Sequence, residues 1–106
     1  MCNIKHHNLG TILSYDVFRR GGDKICDAFM IYKPVIGGAK HTVDLRLHYV
    51  DTDGNEYFYS IDRQDITATS LDIVAKCDRL FGQLIHEDAF WNYVNEFMGE
   101  VKPGDQ

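Results

Sequence analysis

The stretch Asp51-Thr52-Asp53-Gly54-Asn55-Glu56 sets carboxylates on alternate positions around a glycine, as calcium-binding loops do. An EF-hand loop takes oxygen ligands at its positions 1, 3, 5 and 12 and glycine at 6. With Gly54 at position 6, Tyr49 and Ser60 fall at 1 and 12 and bring no carboxylate. With Asp51 at position 1, Glu56 falls where glycine belongs. Neither register makes the site, so no metal is expected there.

The histidines offer little more. His6 and His7 lie near Cys2 in a polar N-terminal stretch, where a disordered end is the simpler expectation. His41 and His48 are seven residues apart, so on a regular strand they point to opposite faces and cannot share an ion. His86, in IHEDAF, lacks the second histidine of HExxH and reads as a helix start. Cys2, Cys26 and Cys77 form no CxxC pair, and their odd number suits a reducing compartment; Cys26 and Cys77 read as small buried hydrophobes. FRRGGDK has two glycines among basic residues but no phosphate-loop pattern, and Gly21-Gly22 reads as a two-residue hairpin turn.

One cluster has better geometry. Asp44, Arg46 and His48 alternate along one strand face, with Ser60 and Phe58 opposite Arg46 and His48 on the next strand. His48 as base and Ser60 as nucleophile would lack both an orienting acid, Asp44 being too far along, and an oxyanion hole. No catalytic residue and no cofactor are assigned.

The elements that position these groups follow from periodicity. HTVDLRLHYV alternates apolar Val43, Leu45, Leu47 and Tyr49 with polar residues, and Tyr57, Tyr59 and Ile61 alternate in the next strand. A two-residue turn would mix the two rows, whereas a three-residue loop, Thr52 to Gly54, pairs Tyr49 with Tyr57, Leu47 with Tyr59 and Leu45 with Ile61. Such a loop needs a left-handed third residue, and Gly54 stands there. Residues 11–20 and 24–33 read as two earlier strands, the second ended by Pro34.

From Asp65 the period becomes helical, with Leu71, Val74, Phe81, Leu84 and Ile85 on one face and Asp72, Lys76, Arg79 and Gln83 on the other. Thr69 is the expected N-cap, with Asp72 three residues on. A second helix over 87–98 buries Phe90, Val94, Phe97 and Met98, and Gly99 ends it. The expected fold is α+β: a four-stranded antiparallel meander with two C-terminal helices packed on one face, a two-layer sandwich. Residues 1–106 form one domain, with 1–9 a mobile segment and 100–106 a frayed tail.

Composition bounds the function. Apolar residues at 44% and charged ones at 25% are ordinary for a folded domain and argue against disorder. No apolar run is long enough for a membrane span or a secretory leader, so a soluble cytoplasmic protein is expected. Residues 1–50 carry seven Lys/Arg against four Asp/Glu, and residues 51–106 four against twelve. The net charge of −5 disfavours nucleic acid and suggests an acidic second half with Glu87, Asp88 and Glu96 facing a basic protein partner.

The sheet's second face is not simply polar. Ile12, Phe18, Phe29, Ile31 and Phe58 fall on it with Arg46 and His48, and a second copy of the chain is the simplest cover. The expected function is thus that of a small acidic, non-catalytic interaction protein, of inhibitor, immunity or accessory type, acting as a homodimer. The alternative is a small-molecule binder or small enzyme with a pocket between sheet and helices, lined by Tyr15, Tyr49, Tyr57, Tyr59, Phe90 and Trp91. For the loop the expectation is definite: millimolar calcium leaves the melting temperature and the amide signals of residues 51 to 56 unchanged. Saturable binding through Asp51, Asp53 and Asn55 would overturn the hairpin reading.

Overall fold

Alternating rows of apolar side chains can be buried only where strands pair in register and something covers one face. A computed structural model of the chain describes residues 3–7, 10–19, 21–32, 40–67 and 72–101. Among these residues are five strands, β1 (Asn3–His7), β2 (Gly10–Phe18), β3 (Lys24–Tyr32), β4 (Lys40–Val50) and β5 (Glu56–Thr67), followed by helices α1 (Ile73–Leu84) and α2 (Asp88–Val101). The strands form one antiparallel meander in the order β1-β2-β3-β4-β5, and both helices pack on one of its faces. The expected α+β architecture is present, with a strand added at its edge.

That added strand is the first difference from the sequence reading, which left residues 1–9 as a mobile segment. Asn3–His7 carries no continuous apolar row; it pairs Asn3 with Ser14 through His7 with Gly10. Backbone hydrogen bonding to an edge of β2 that would otherwise be bare is what the pairing satisfies.

Leu13, Tyr15 and Val17 of β2, Cys26, Ala28, Met30 and Tyr32 of β3, and Val43, Leu45 and Leu47 of β4 form the sheet's side of the core. Ile73 and Cys77 of α1, and Phe90, Val94 and Phe97 of α2, close it from above. Ile73 and Cys77 are the most buried residues of α1, and the expected stripe of Val74, Phe81, Leu84 and Ile85 flanks them half-buried. Burial pushes the Cys26 thiol up to about 12, with Asp27 adding to the effect, so Cys26 behaves as a hydrophobe.

Two hairpin turns share one pattern of backbone hydrogen bonds. Asp51 N–H donates to Asn55 O (3.0 Å) and Gly54 N–H to Asp51 O (3.1 Å), leaving Thr52 to Gly54 as the predicted three-residue connection with Gly54 at φ 85°. Arg19 N–H donates to Asp23 O (2.7 Å) and Gly22 N–H to Arg19 O (2.9 Å), with Gly22 at φ 113°. The first turn therefore spans the three positions between Arg19 and Asp23, not the two expected of Gly21-Gly22, and takes positive φ at both glycines. Asp51 braces its own loop: its carboxylate accepts from Asp53 N–H, Asn55 N–H, Asn55 Nδ2 and the Tyr57 hydroxyl.

Two bulges change the register beyond the hairpins. Val17 pairs with Cys26 and Phe18 with Lys24, which sets Ile25 outside the ladder. Arg46 pairs with Ser60 and Leu45 with Asp62, so the predicted Leu45–Ile61 pair is replaced and Ile61 is the extra residue. Strand β5 then continues to Thr67, past the Asp65 at which a helical period was expected. Helix α1 begins correspondingly late: Asp72, not Thr69, holds the N-cap position, without a side-chain capping bond, and Thr69 lies outside the described residues, as does Leu71. Helix α2 runs through Gly99 to Val101, where Met98 and Val101 still pack on the core, so Glu100 and Val101 belong to the helix rather than to the expected tail.

The Gly54 loop yields a direct test. Gly54→Ala must place a β-carbon at a left-handed φ, and should destabilise the fold by about 1–2 kcal/mol in urea unfolding. A neutral result would mean that the loop has another conformation in solution.

Candidate functional site

The face of the sheet opposite the helices gathers side chains that sequence spacing alone did not connect. Pairing sets Asp16 beside Asp27, Asp27 beside His48, and His48 beside Phe58, one cross-strand row over β2, β3, β4 and β5. Two aspartates in direct opposition repel one another. Lys24 removes the conflict, its Nζ lying 2.9 Å from Asp16 Oδ1 and 2.7 Å from Asp27 Oδ1. These bonds, the Asp27 one first and the Asp16 one next, hold the lysine above its ordinary range.

The second oxygen of Asp27 lies 3.0 Å from His48 Nδ1, and Nε2 of the same ring lies 3.1 Å from Glu56 Oε1. Both contacts are donations only when the imidazole carries two protons; the neutral ring can donate one. The result is a chain of polar contacts, Asp16, Lys24, Asp27, His48 and Glu56, laid across four strands and ionic throughout only when the imidazole carries two protons. Burial pushes the Asp27 carboxyl up, but hydrogen bonds from Lys24 and His48, and then their charges, outweigh it and hold the group below the usual range.

Aromatic rings wall the histidine. Phe29 stacks on it with centroids 4.4 Å apart and planes 19° from parallel, and Phe58 lies tilted against it at 4.9 Å. His48 is only 6% exposed, and Phe29 and Ile31 are also buried, although no described element crosses this face. Around them Phe18 (53%), Phe58 (51%) and Val50 (45%) stand half in solvent.

The register places all seven residues expected at an interface, Ile12, Phe18, Phe29, Ile31, Arg46, His48 and Phe58, on this one face. Their environments differ. Arg46 is a partly exposed cation 4.0 Å from Asp44, while His48 is committed within the chain and cannot serve as a rim donor. The orienting acid of His48 is Asp27, not Asp44; the pairing of β3 with β4 was the missing information, although Glu56 was within reach of the hairpin register.

The six residues expected to line a pocket are spread along the core. Tyr15 stacks on Phe81 and donates to Asp78 Oδ1 at 2.6 Å. Tyr49 and Tyr57 adjoin each other near the second hairpin loop, and Tyr59 lies against Tyr93 and Phe97. Phe90 meets Phe81 and Trp91 edge-on, and Trp91 Nε1 donates to Ile85 O at 2.8 Å. Glu87, Asp88 and Glu96 are exposed, on or just before α2, a helix without lysine or arginine. Burial first, and then a bond to Glu96, raise the Tyr59 phenol.

The chain matches no protein-family model, no curated protein and no solved structure. No helix among the described residues is long and apolar enough to cross a membrane. Among the described residues no group of three or more His, Cys, Asp or Glu is placed to hold a metal ion.

Asp27 titrates lower folded than unfolded, so its contribution to stability is complete above the ordinary aspartate range, about pH 4. That contribution is lost as pH falls through the depressed folded value. Asp27→Asn should therefore lower the melting temperature at pH 7 by a few degrees and flatten its fall between pH 5 and pH 2. An unchanged acid limb, followed by circular dichroism, would show that the charge chain does not couple to folding.

Proposed function

We propose that the chain is a non-catalytic interaction protein that binds a second copy of itself through the sheet face opposite the helices. The observation that carries this reading is that Phe18, Val50 and Phe58 stand half-exposed on the same face as the buried Phe29–His48 stack. A monomer would leave these side chains in water, and large exposed apolar areas are uncommon on monomers.

Area and charge favour a second copy. Five strands about 4.8 Å apart, with nine or more residues in the longer ones at about 3.3 Å each, present a face of roughly 700 Å². Stable dimers bury about 800 Å² per partner, so the whole face matches the need. The face also carries both signs, Lys24 and Arg46 among Asp16, Asp27, Asp44 and Glu56, whereas the acidic surface of α2 lies on the other layer. A two-fold axis can thus bring Arg46 to the partner's Asp44 without opposing two acidic surfaces. His48 has both nitrogens engaged in its own chain and is not free to act as a base.

Wild-type protein is expected to sediment as a dimer at micromolar concentration, and Phe58→Glu to shift it toward monomer with its circular dichroism retained. Val50→Glu, further from the His48 stack, should act in the same direction. A monomeric wild type, or variants that stay dimeric, would overturn the proposal.

A further inference from the structure

Strand β1 reaches only to Ser14 on its neighbour, so among the described residues the outer edge of β2 from Tyr15 to Phe18 has no strand beside it. Helix α1 runs along this edge, and between the two lies a cleft of about 240 Å³ lined by Tyr15, Asp16, Phe18, Asp78, Phe81 and Gly82. Three of the six are aromatic and two are carboxylates. Aromatic faces attract a cation through their quadrupole, and a carboxylate beside them supplies the countercharge.

The two acids are not equivalent. Asp16 already holds Lys24 at 2.9 Å. Asp78 is exposed, and its Oδ1 accepts the Tyr15 hydroxyl at 2.6 Å, which orients its carboxylate over the cleft without neutralising it. Tyr15 is itself buried and stacked on Phe81 at 4.6 Å, so the wall bearing Asp78 is rigid.

Gly82 is the independent observation. It stands in the interior of α1, where glycine is the least favourable residue after proline. Packing does not require it there, because a β-carbon built on Gly82 meets nothing within 4 Å. Gly82 lines the cleft, and a side chain there would have open space before it.

We infer that this cleft binds an organic cation, an alkylammonium or guanidinium group, with Asp78 as the countercharge and Phe18 and Phe81 against its apolar surface. A free amine and a lysine or arginine side chain of a partner share this chemistry. The site is separate from the self-association proposed above except for Asp16 and Phe18, at the rim of that face, and measuring both wild type and the Phe58→Glu monomer reads the two ideas independently.

The test is a ¹H–¹⁵N titration at physiological salt with tetramethylammonium, putrescine and a short lysine- and arginine-containing peptide. Neutral tert-butanol is the control for size. Saturable shifts are expected at the amides of residues 15–18 and 78–83 with the cations and not with tert-butanol. Asp78→Asn, which keeps an oxygen for Tyr15, should weaken binding at least tenfold, and Gly82→Leu should abolish it while leaving the melting temperature equal or higher. Tighter binding of the peptide than of the free amines assigns the cation to a protein partner, and the reverse order to a small amine. Absence of saturable shifts, equal response to tert-butanol, or unaltered binding by Gly82→Leu overturns the inference.

Discussion

Every strand has two faces, and this chain has helices enough to cover one. That constraint organises the rest of the molecule. The rows ending in Leu13, Met30, Leu45 and Leu47 lie under α1 and α2, and the pleat then sends their neighbours Phe29, Ile31 and His48 to the opposite side. A polar second face would have made an ordinary two-layer domain. Instead β3 is apolar on both sides, and the uncovered face must order itself.

It does so by coupling an ion chain to an aromatic stack. Asp16 and Asp27 would repel across β2 and β3, and His48 would be a poorly satisfied ring beneath two phenylalanines. Lys24 bridges the two aspartates, and Asp27 with Glu56 engages both nitrogens of His48. Each charged group thereby offsets the desolvation of the next. The ionic contacts run across strands and the Phe29 ring lies parallel to the imidazole, so the surface is held in one arrangement before any partner arrives. Preorganisation of this kind reduces the ordering cost of association.

Much of this architecture was legible in the sequence because period and parity are local. The alternation in β4 and β5, the glycine at the third loop position and the apolar stripe of α2 are each read within a dozen residues. What escaped depends on backbone irregularity or on pairing between distant segments. The bulges at Ile25 and Ile61 leave no compositional mark, yet the second moves Leu45 onto Asp62. Asp27 could not be joined to His48 without the register of β3 on β4, which the intervening connection does not announce. Strand β1 has little apolar periodicity to betray it, and α2 passes Gly99 because Met98 and Val101 still find the core beyond it.

Charge differs between α2 and the sheet face. Helix α2 has acids and neither lysine nor arginine, while the sheet face mixes both signs, and the cleft at the β2 edge joins the two layers through Asp16 and Asp78. A uniformly acidic surface repels its own copy and attracts a basic one; a mixed surface can do neither at long range and must rely on fit. The sheet face is therefore suited to a short-range, shape-dependent contact centred on Phe58. The acids of α2 set up a field that acts at a distance, screened over ~8–10 Å in physiological salt, while α1 carries both signs through Lys76, Asp78 and Arg79. Two surfaces with such different ranges need not compete on one small domain, because the proposed sheet-face contact would leave the α2 side open to solvent.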